Sequence, residues 1–339
     1  MTNTTVLASL NSALQHAMQS DERVYLLGED LLDPYGGAFK ITRGLSSQFP
    51  ERVLTTPVSE AAITGIAGGM ALRGMRPVVE IMFGDFITLI ADQVVNSLTK
   101  FRWMYNDQVA VPIVIRAPMG GRRGYGPTHS QTLEKLFLGV PGLRVLAPTA
   151  LGNPGELLSQ AILQDDGPVL FVENKLLYLT QLFNPAGSDF TLAVSTPPDT
   201  YAPTYTLALR DAPPPSLTLA AYGYMAELAR EAIIKLAYQH EIFAELVVPT
   251  QLAPFDAPTL APLLDSVRRT QRLLAIEEGT LALGWGAEIL AGAAEDQGIV
   301  LQAARRVAAA DLPIPASVPL EAAQLPDVES IVQAAKKMV

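Results

Sequence analysis

The chain has 339 residues, 49% of them hydrophobic and only 17% charged, with a formal net charge of −10 and no cysteine. The missing cysteines exclude a disulfide framework, thiolate-bound zinc and a thiol nucleophile, and the acidic balance speaks against nucleic acid, whose phosphates need clustered Lys and Arg. No uncharged run reaches the roughly 18 apolar residues of a membrane span and the first basic residue is Arg23, so a soluble, cytoplasmic protein of two domains with a large core and much subunit-buried surface is expected.

A helix is expected over Ala8–Ser20, followed by short strands at Val24–Leu27 and Arg52–Thr56. Ser59 stands where a residue would cap a helix running to about Leu72. Pro77–Phe83 reads as a buried strand. Phe86, Leu89, Ile90, Val94, Leu98 and Phe101 then recur at helical spacing. Val111–Arg116, Leu143–Ala147 and Val169–Glu173 are further strands, with a helix at Gly155–Leu163 between the last two. Strands alternating with helices point to a parallel sheet covered on both faces.

The stretch 181–216, rich in Pro, Thr and Ser and ending in Pro213-Pro214-Pro215, reads as a connection, with room for a short hairpin. Strands at Leu217–Tyr222, Phe243–Val248 and Leu273–Glu277 follow, with helices at Met225–Tyr238, Leu260–Arg269, Ala287–Ala294 and Val328–Val339. The fold class is therefore α/β, two domains each with a mostly parallel sheet flanked by helices.

Generic phosphate motifs are missing: there is no G-x-x-x-x-G-K-[ST], and Gly284 and Gly286 do not complete a dinucleotide fingerprint. The three histidines, His16, His129 and His240, have no spacing of paired zinc ligands. The informative segment is Thr55-Thr56-Pro57-Val58-Ser59-Glu60-Ala61-Ala62-Ile63-Thr64-Gly65. It takes a strand into a helix whose first turn carries a carboxylate and whose next turns are small: Gly65, Ala67, Gly68, Gly69, Ala71. Taken alone, Glu60 has an ordinary use there, complementing the positive end of the helix.

The segment resembles the glutamate motif of transketolase-like pyrimidine-binding domains, in the form found in beta subunits of pyruvate, branched-chain 2-oxoacid and acetoin dehydrogenases. The resemblance continues in order through Gly28-Glu29-Asp30, Gly36-Gly37-Ala38-Phe39, Arg76 to Phe86, Asp92 to Asn96, Val111 to Pro118, Gly126 to Gln131, Pro141-Gly142-Leu143 and Val169 to Asn174. Glu277-Glu278-Gly279 and Gly286-Ala287-Glu288-Ile289 resemble two marks of the family's second domain. The implied organisation is a pyrimidine-binding domain over 1–180, the linker 181–216 and a transketolase C-terminal-like domain over 217–339.

The resemblance implies that Glu60 hydrogen-bonds the pyrimidine N1′ of thiamine diphosphate, favouring the imino tautomer of a cofactor whose own amino group takes the weakly acidic C2 proton. It implies that Met82 and Phe86 line the pyrimidine pocket, and that His129 stands where substrate and lipoyl arm meet and moves a proton during acyl transfer. Backbone oxygens at Ile113, Ala161 and Asp165 match a structural potassium site of some relatives. Arg122 and Arg123 stand where relatives carry glycines; they read as a solvated loop charge pair, with an acidic substrate or carrier as the other reading.

No Gly-Asp-Gly motif with a downstream Asn is present to hold the magnesium diphosphate. In the family that motif belongs to an alpha subunit. An alpha2-beta2 heterotetramer with the cofactor between chains is therefore implied. Val248 to Asp256 lacks the Asp and Arg that relatives carry at that place, which bears on docking to a lipoyl acyltransferase core. Two other readings follow: acyl transfer to an acyl carrier protein or other acceptor, and a non-catalytic scaffold that kept the fold.

Overall fold

The computed structural model describes residues 4–197 and 200–339. Contacts divide the chain into two compact units, one of Met1–Gly120, Leu136–Pro148 and Asn153–Leu182, the other of Gly121–Lys135, Thr149–Gly152 and Phe183–Val339. Among the described residues no helix is long and apolar enough to cross a membrane.

In the first unit α1 (Val6–Ser20) starts where the Thr5 hydroxyl accepts from Ala8 N at 3.2 Å. It buries Leu10, Leu14, Ala17 and Met18, spaced three or four apart, and packs on α5 (Pro154–Gln164). Between them come β1 (Val24–Gly28), α2 (Leu45–Gln48), β2 (Val53–Thr55), α3 (Glu60–Leu72), β3 (Arg76–Glu80), α4 (Thr99–Met104), β4 (Val114–Met119) and β5 (Arg144–Leu146); β6 (Val169–Asn174) follows α5. The strands lie in the order β5-β6-β4-β3-β1-β2, and every pairing among them is parallel.

Two local expectations are corrected here. Ser59 stands at the N-cap of α3 but makes no side-chain cap bond. The apolar stripe from Phe86 to Phe101 is helical but not one α-helix: Gly84–Ile90 winds as 3₁₀, Gln93–Leu98 as a π-helix, and only Thr99–Met104 is α. The Thr99 hydroxyl donates to Val94 O at 3.0 Å and lies 3.3 Å from Val95 O, competing with the α ladder in the wide turn.

The second unit holds β7 (Phe190–Ser195), β8 (Thr204–Leu209), β9 (Leu217–Ala221), α6 (Met225–His240), β10 (Ala244–Pro249), β11 (Gln251–Ala253), α7 (Ala257–Thr270), β12 (Arg272–Thr280), α8 (Trp285–Glu295), β13 (Ala303–Ala309), α9 (Val318–Gln324) and α10 (Val328–Lys336). Its sheet runs β13-β12-β9-β10-β8-β7. The pairings are parallel except β10 with β8 and β8 with β7. Residues 181–216 are thus not a linker. Two strands within the stretch, β7 and β8, form the antiparallel edge of this sheet, with Phe190 and Leu207 in the core beside Leu219, Ile233 and Leu246; Pro198 and Asp199 lie outside the described residues. Prolines and threonines suit an edge hairpin as well as a connection, which is why composition alone misplaced it.

Candidate cofactor and acid–base site

In the first sheet β1 lies between β2 and β3. The chain therefore changes sides at β1. In open parallel sheets ligands bind beyond the carboxyl ends of the strands at such a point. Register brings three connections out at one level, because Gly28 pairs with Thr55 on one side and with Glu80 on the other. The residues that emerge are Glu29 after β1, Thr56 to Glu60 after β2, and Met82 to Phe86 after β3.

Glu60 opens α3 and is 5% exposed. Around it Glu29 Oε1, Thr56 Oγ1 and Thr64 Oγ1 are buried without a partner among the described residues. Burial raises the pKa of Glu29, and the charges of Glu60 and Asp30 raise it further. Buried polar atoms are normally satisfied. A group of orphaned atoms around two neighbouring carboxyls fits a polar heterocycle such as a pyrimidine.

Met82 and Phe86 are half-buried. The Phe86 ring stands edge-on to Phe83 with centroids 6.0 Å apart, and Phe83 does the same to Phe39 at 5.5 Å. Phe39 in turn lies 5.5 Å from Tyr178, whose hydroxyl donates to Glu173 at 2.7 Å. The buried Lys175 Nζ sits 5.2 Å from the centre of Phe83. Glu173 grips Arg116 through two bonds of 2.8 and 2.9 Å, and Arg116 also donates to Glu80 at 2.6 Å. Burial opposes the guanidinium charge, but Glu173 and Glu80 outweigh it and hold Arg116 firmly protonated; burial also raises Glu80, against the pull of Arg116. The aromatic wall thus rests on a charge network built across β3, β4 and β6. Sequence reasoning missed its members, Glu80, Arg116, Glu173 and Tyr178. The available signal was Glu80, Arg116 and Glu173 inside largely apolar strands, where a charge persists only when paired.

His129 belongs to the second unit, on the loop 121–135. It is half-buried, its amide donates to Gly126 O at 3.3 Å, and its Nδ1 lies 3.0 Å from the Thr128 hydroxyl. Which of that last pair donates depends on the ring tautomer. The loop's far end is fixed by Glu134, fully buried, which accepts from the Tyr222 hydroxyl; burial raises both groups' pKa. Arg122 is not half of a solvated pair. Its side chain is 19% exposed, donates to Pro326 O and lies 3.9 Å from Glu278. Arg123 is exposed.

At the expected potassium site Ile113 O accepts from Val169 N at 2.9 Å, and Ala161 lies in α5. Asp165 O and the neighbouring Ile162 O each accept from Arg76, at 2.6 Å. Arg144 donates to the Asp165 carboxylate at 2.7 Å. Two guanidinium groups supply the positive charge at this turn. Among the described residues no three His, Cys, Asp or Glu side chains are grouped to hold a metal ion.

Comparison with known proteins bears on this arrangement. Residues 3–180 match the family described as transketolase, pyrimidine binding domain, and residues 207–331 match transketolase, C-terminal domain. A pyruvate dehydrogenase E1 component subunit beta-2 (mitochondrial) of Oryza sativa subsp. japonica is 39% identical over 98% of the chain and 85% of that protein. The corresponding beta subunit of Rickettsia bellii is 34% identical over 98% of each, and that of Drosophila melanogaster 36% identical over 99% of the chain and 89% of the relative. A solved split-gene transketolase, an inactive beta4 tetramer, shares the fold with a TM-score of 0.74 at 20% identity, covering 99% of this chain and 98% of its own.

Proposed function

The chain belongs to the transketolase-like family of pyruvate dehydrogenase E1 beta subunits, and from that premise we propose that it completes, with an alpha subunit in an alpha2-beta2 heterotetramer, a thiamine-diphosphate-dependent enzyme that decarboxylates pyruvate and passes the acetyl group to a lipoyl carrier. The observation that carries this reading is Glu60, a buried carboxyl at the switch point of a parallel sheet, near enough for its charge to act on Glu29, whose buried Oε1 has no partner among the described residues.

When bound, the cofactor supplies a nucleophilic carbon and an electron sink that lets carbon dioxide leave. The residues of this chain act around it. Glu60 holds a proton at the pyrimidine N1′. Met82 and Phe86 give the ring an apolar wall and an aromatic edge, kept in place by the Phe83–Phe39–Tyr178 row. His129 moves a proton during acyl transfer. The diphosphate and its magnesium are assigned to the alpha subunit. A structural potassium at the backbone oxygens of Ile113, Ala161 and Asp165 rests on the family resemblance; at that turn Arg76 donates to Asp165 O and Ile162 O, and Arg144 to the Asp165 carboxylate.

Exposed apolar side chains of the first unit support the assembly: Val58 is 79% exposed, Ile66 61% and Trp103 85%. On α3 the neighbours of Ile66 that face solvent are Ala61, Ala62 and Gly69, small enough for close approach of another helix.

Glu60→Gln in the reconstituted alpha–beta enzyme tests the reading. It is expected to lower carbon dioxide release from pyruvate by about 100-fold or more, the range of a lost acid–base group. If Glu60 merely complements its helix end, the change costs only about 0.3–1 kcal/mol of stability and leaves turnover intact.

A further inference from the structure

The loop that carries His129 is held in an uncommon shape. Arg122, Gly124 and Gly126 all have positive φ, at 68°, 68° and 78°. For Arg122 that is a conformation an L side chain adopts only when its surroundings enforce it. The turn presents three main-chain amides to two buried carboxylates. Gly121 N donates to Glu278 Oε1 at 2.7 Å, Arg122 N to Glu321 Oε1 at 2.7 Å, and Gly124 N to Glu321 Oε2 at 3.0 Å. Glu278 is 4% exposed and Glu321 1%. The fit is close. A Cβ on Gly121 would stand 2.6 Å from Leu325 Cδ1 and 3.0 Å from Glu321 Oε1.

Burying a carboxylate is costly unless charged or polar partners compensate. Glu278 has the Arg122 guanidinium 3.9 Å away. Glu321 has both of its oxygens committed to amides of the loop, the strong, charge-assisted kind of bond. On the other side of His129 the chain is fixed again, at Ser130, 1% exposed, and at the fully buried Glu134. The imidazole therefore sits on a short span pinned at both ends.

We propose that Glu321 is a positioning residue: by spanning the Arg122 and Gly124 amides it fixes the loop in the shape that presents the His129 imidazole. This rests on the reading of His129 as the group that moves a proton during acyl transfer. Glu321→Gln is the sharp variant, because one of its two oxygens becomes an NH₂ group facing an amide donor.

The test compares, in the reconstituted alpha–beta enzyme, decarboxylation of pyruvate followed with an artificial electron acceptor and acetyl transfer to a lipoyl domain. Glu321→Gln is expected to lower the ratio of transfer to decarboxylation about tenfold or more, the loss that follows misplacement of an acid–base group. A general structural defect lowers both alike and leaves the ratio unchanged, which overturns the proposal. His129→Ala is measured in parallel. If it leaves the ratio unchanged, the reading of His129 fails; if it lowers the ratio while Glu321→Gln does not, only the positioning role fails. Amide hydrogen exchange of the wild-type chain needs no variant. Slow exchange at Arg122 and Gly124 relative to Thr128 is expected, and equal, fast exchange overturns the clamp.

Discussion

Carboxyl groups govern the chemistry of this chain one residue at a time, and each is set by its surroundings rather than its type. Glu277 is fully buried; its Oε1 accepts from Gly286 N at 3.1 Å while Oε2 has no partner among the described residues. Burial, and then the charge of Glu134, push its pKa up to about 7. The folded state then holds a proton that the unfolded chain has released, so stability falls as pH rises from the ordinary carboxyl range to about 7 and levels off above it. The slope is at most about 1.4 kcal/mol per pH unit from this group. Denaturant midpoints measured from pH 5 to 8 are expected to fall with pH in the wild type and to flatten in Glu277→Gln; equal slopes in the two proteins sink this account. Glu60, Met82 and Phe86 could be proposed from the sequence because they sit in ordered motifs. The clamp of Glu278 and Glu321 was not. Nearly 200 residues separate Arg122 from Glu321 in the chain, and no local pattern tells a buried carboxylate from a solvated one. The same blindness made Arg122 read as solvated.

At the scale of elements, periodicity served well where one face is buried and poorly where turn type or sheet edge decides. α1, α3, α5 and α6 stand within a few residues of their expected spans, since each buries an apolar stripe. The 3₁₀ and π turns between Gly84 and Leu98 were hidden, because their apolar spacing is close to that of an α-helix. The edge strands β7 and β8 were hidden by the prolines that flank them and by their threonines. Their status is testable. Leu207 is fully buried in the second core, so Leu207→Ala is expected to cost about 2–5 kcal/mol, whereas Val194→Thr at the exposed edge stays within roughly 0.5 kcal/mol. Urea titrations that show no difference between the two would return the segment to a linker.

For the whole molecule, the division of labour follows from what each part of the chain carries. The fold class was legible, because alternating strands and helices leave few other arrangements. The active site as a whole was not, because half of it is assigned to another chain. The first unit offers orphaned polar atoms and an aromatic wall at its switch point, together with exposed apolar side chains such as Val58, Ile66 and Trp103. No phosphate-binding glycine loop accompanies them in the sequence. The central claim is that this chain contributes the pyrimidine half of a shared site. Calorimetric titration of thiamine diphosphate with magnesium tests it most directly, using the chain alone, the chain with its alpha partner, and the same pair carrying Glu60→Ala. Binding is expected only with the partner, and weakened by the substitution. Tight binding by the isolated chain, or binding by the pair that ignores Glu60, contradicts the claim.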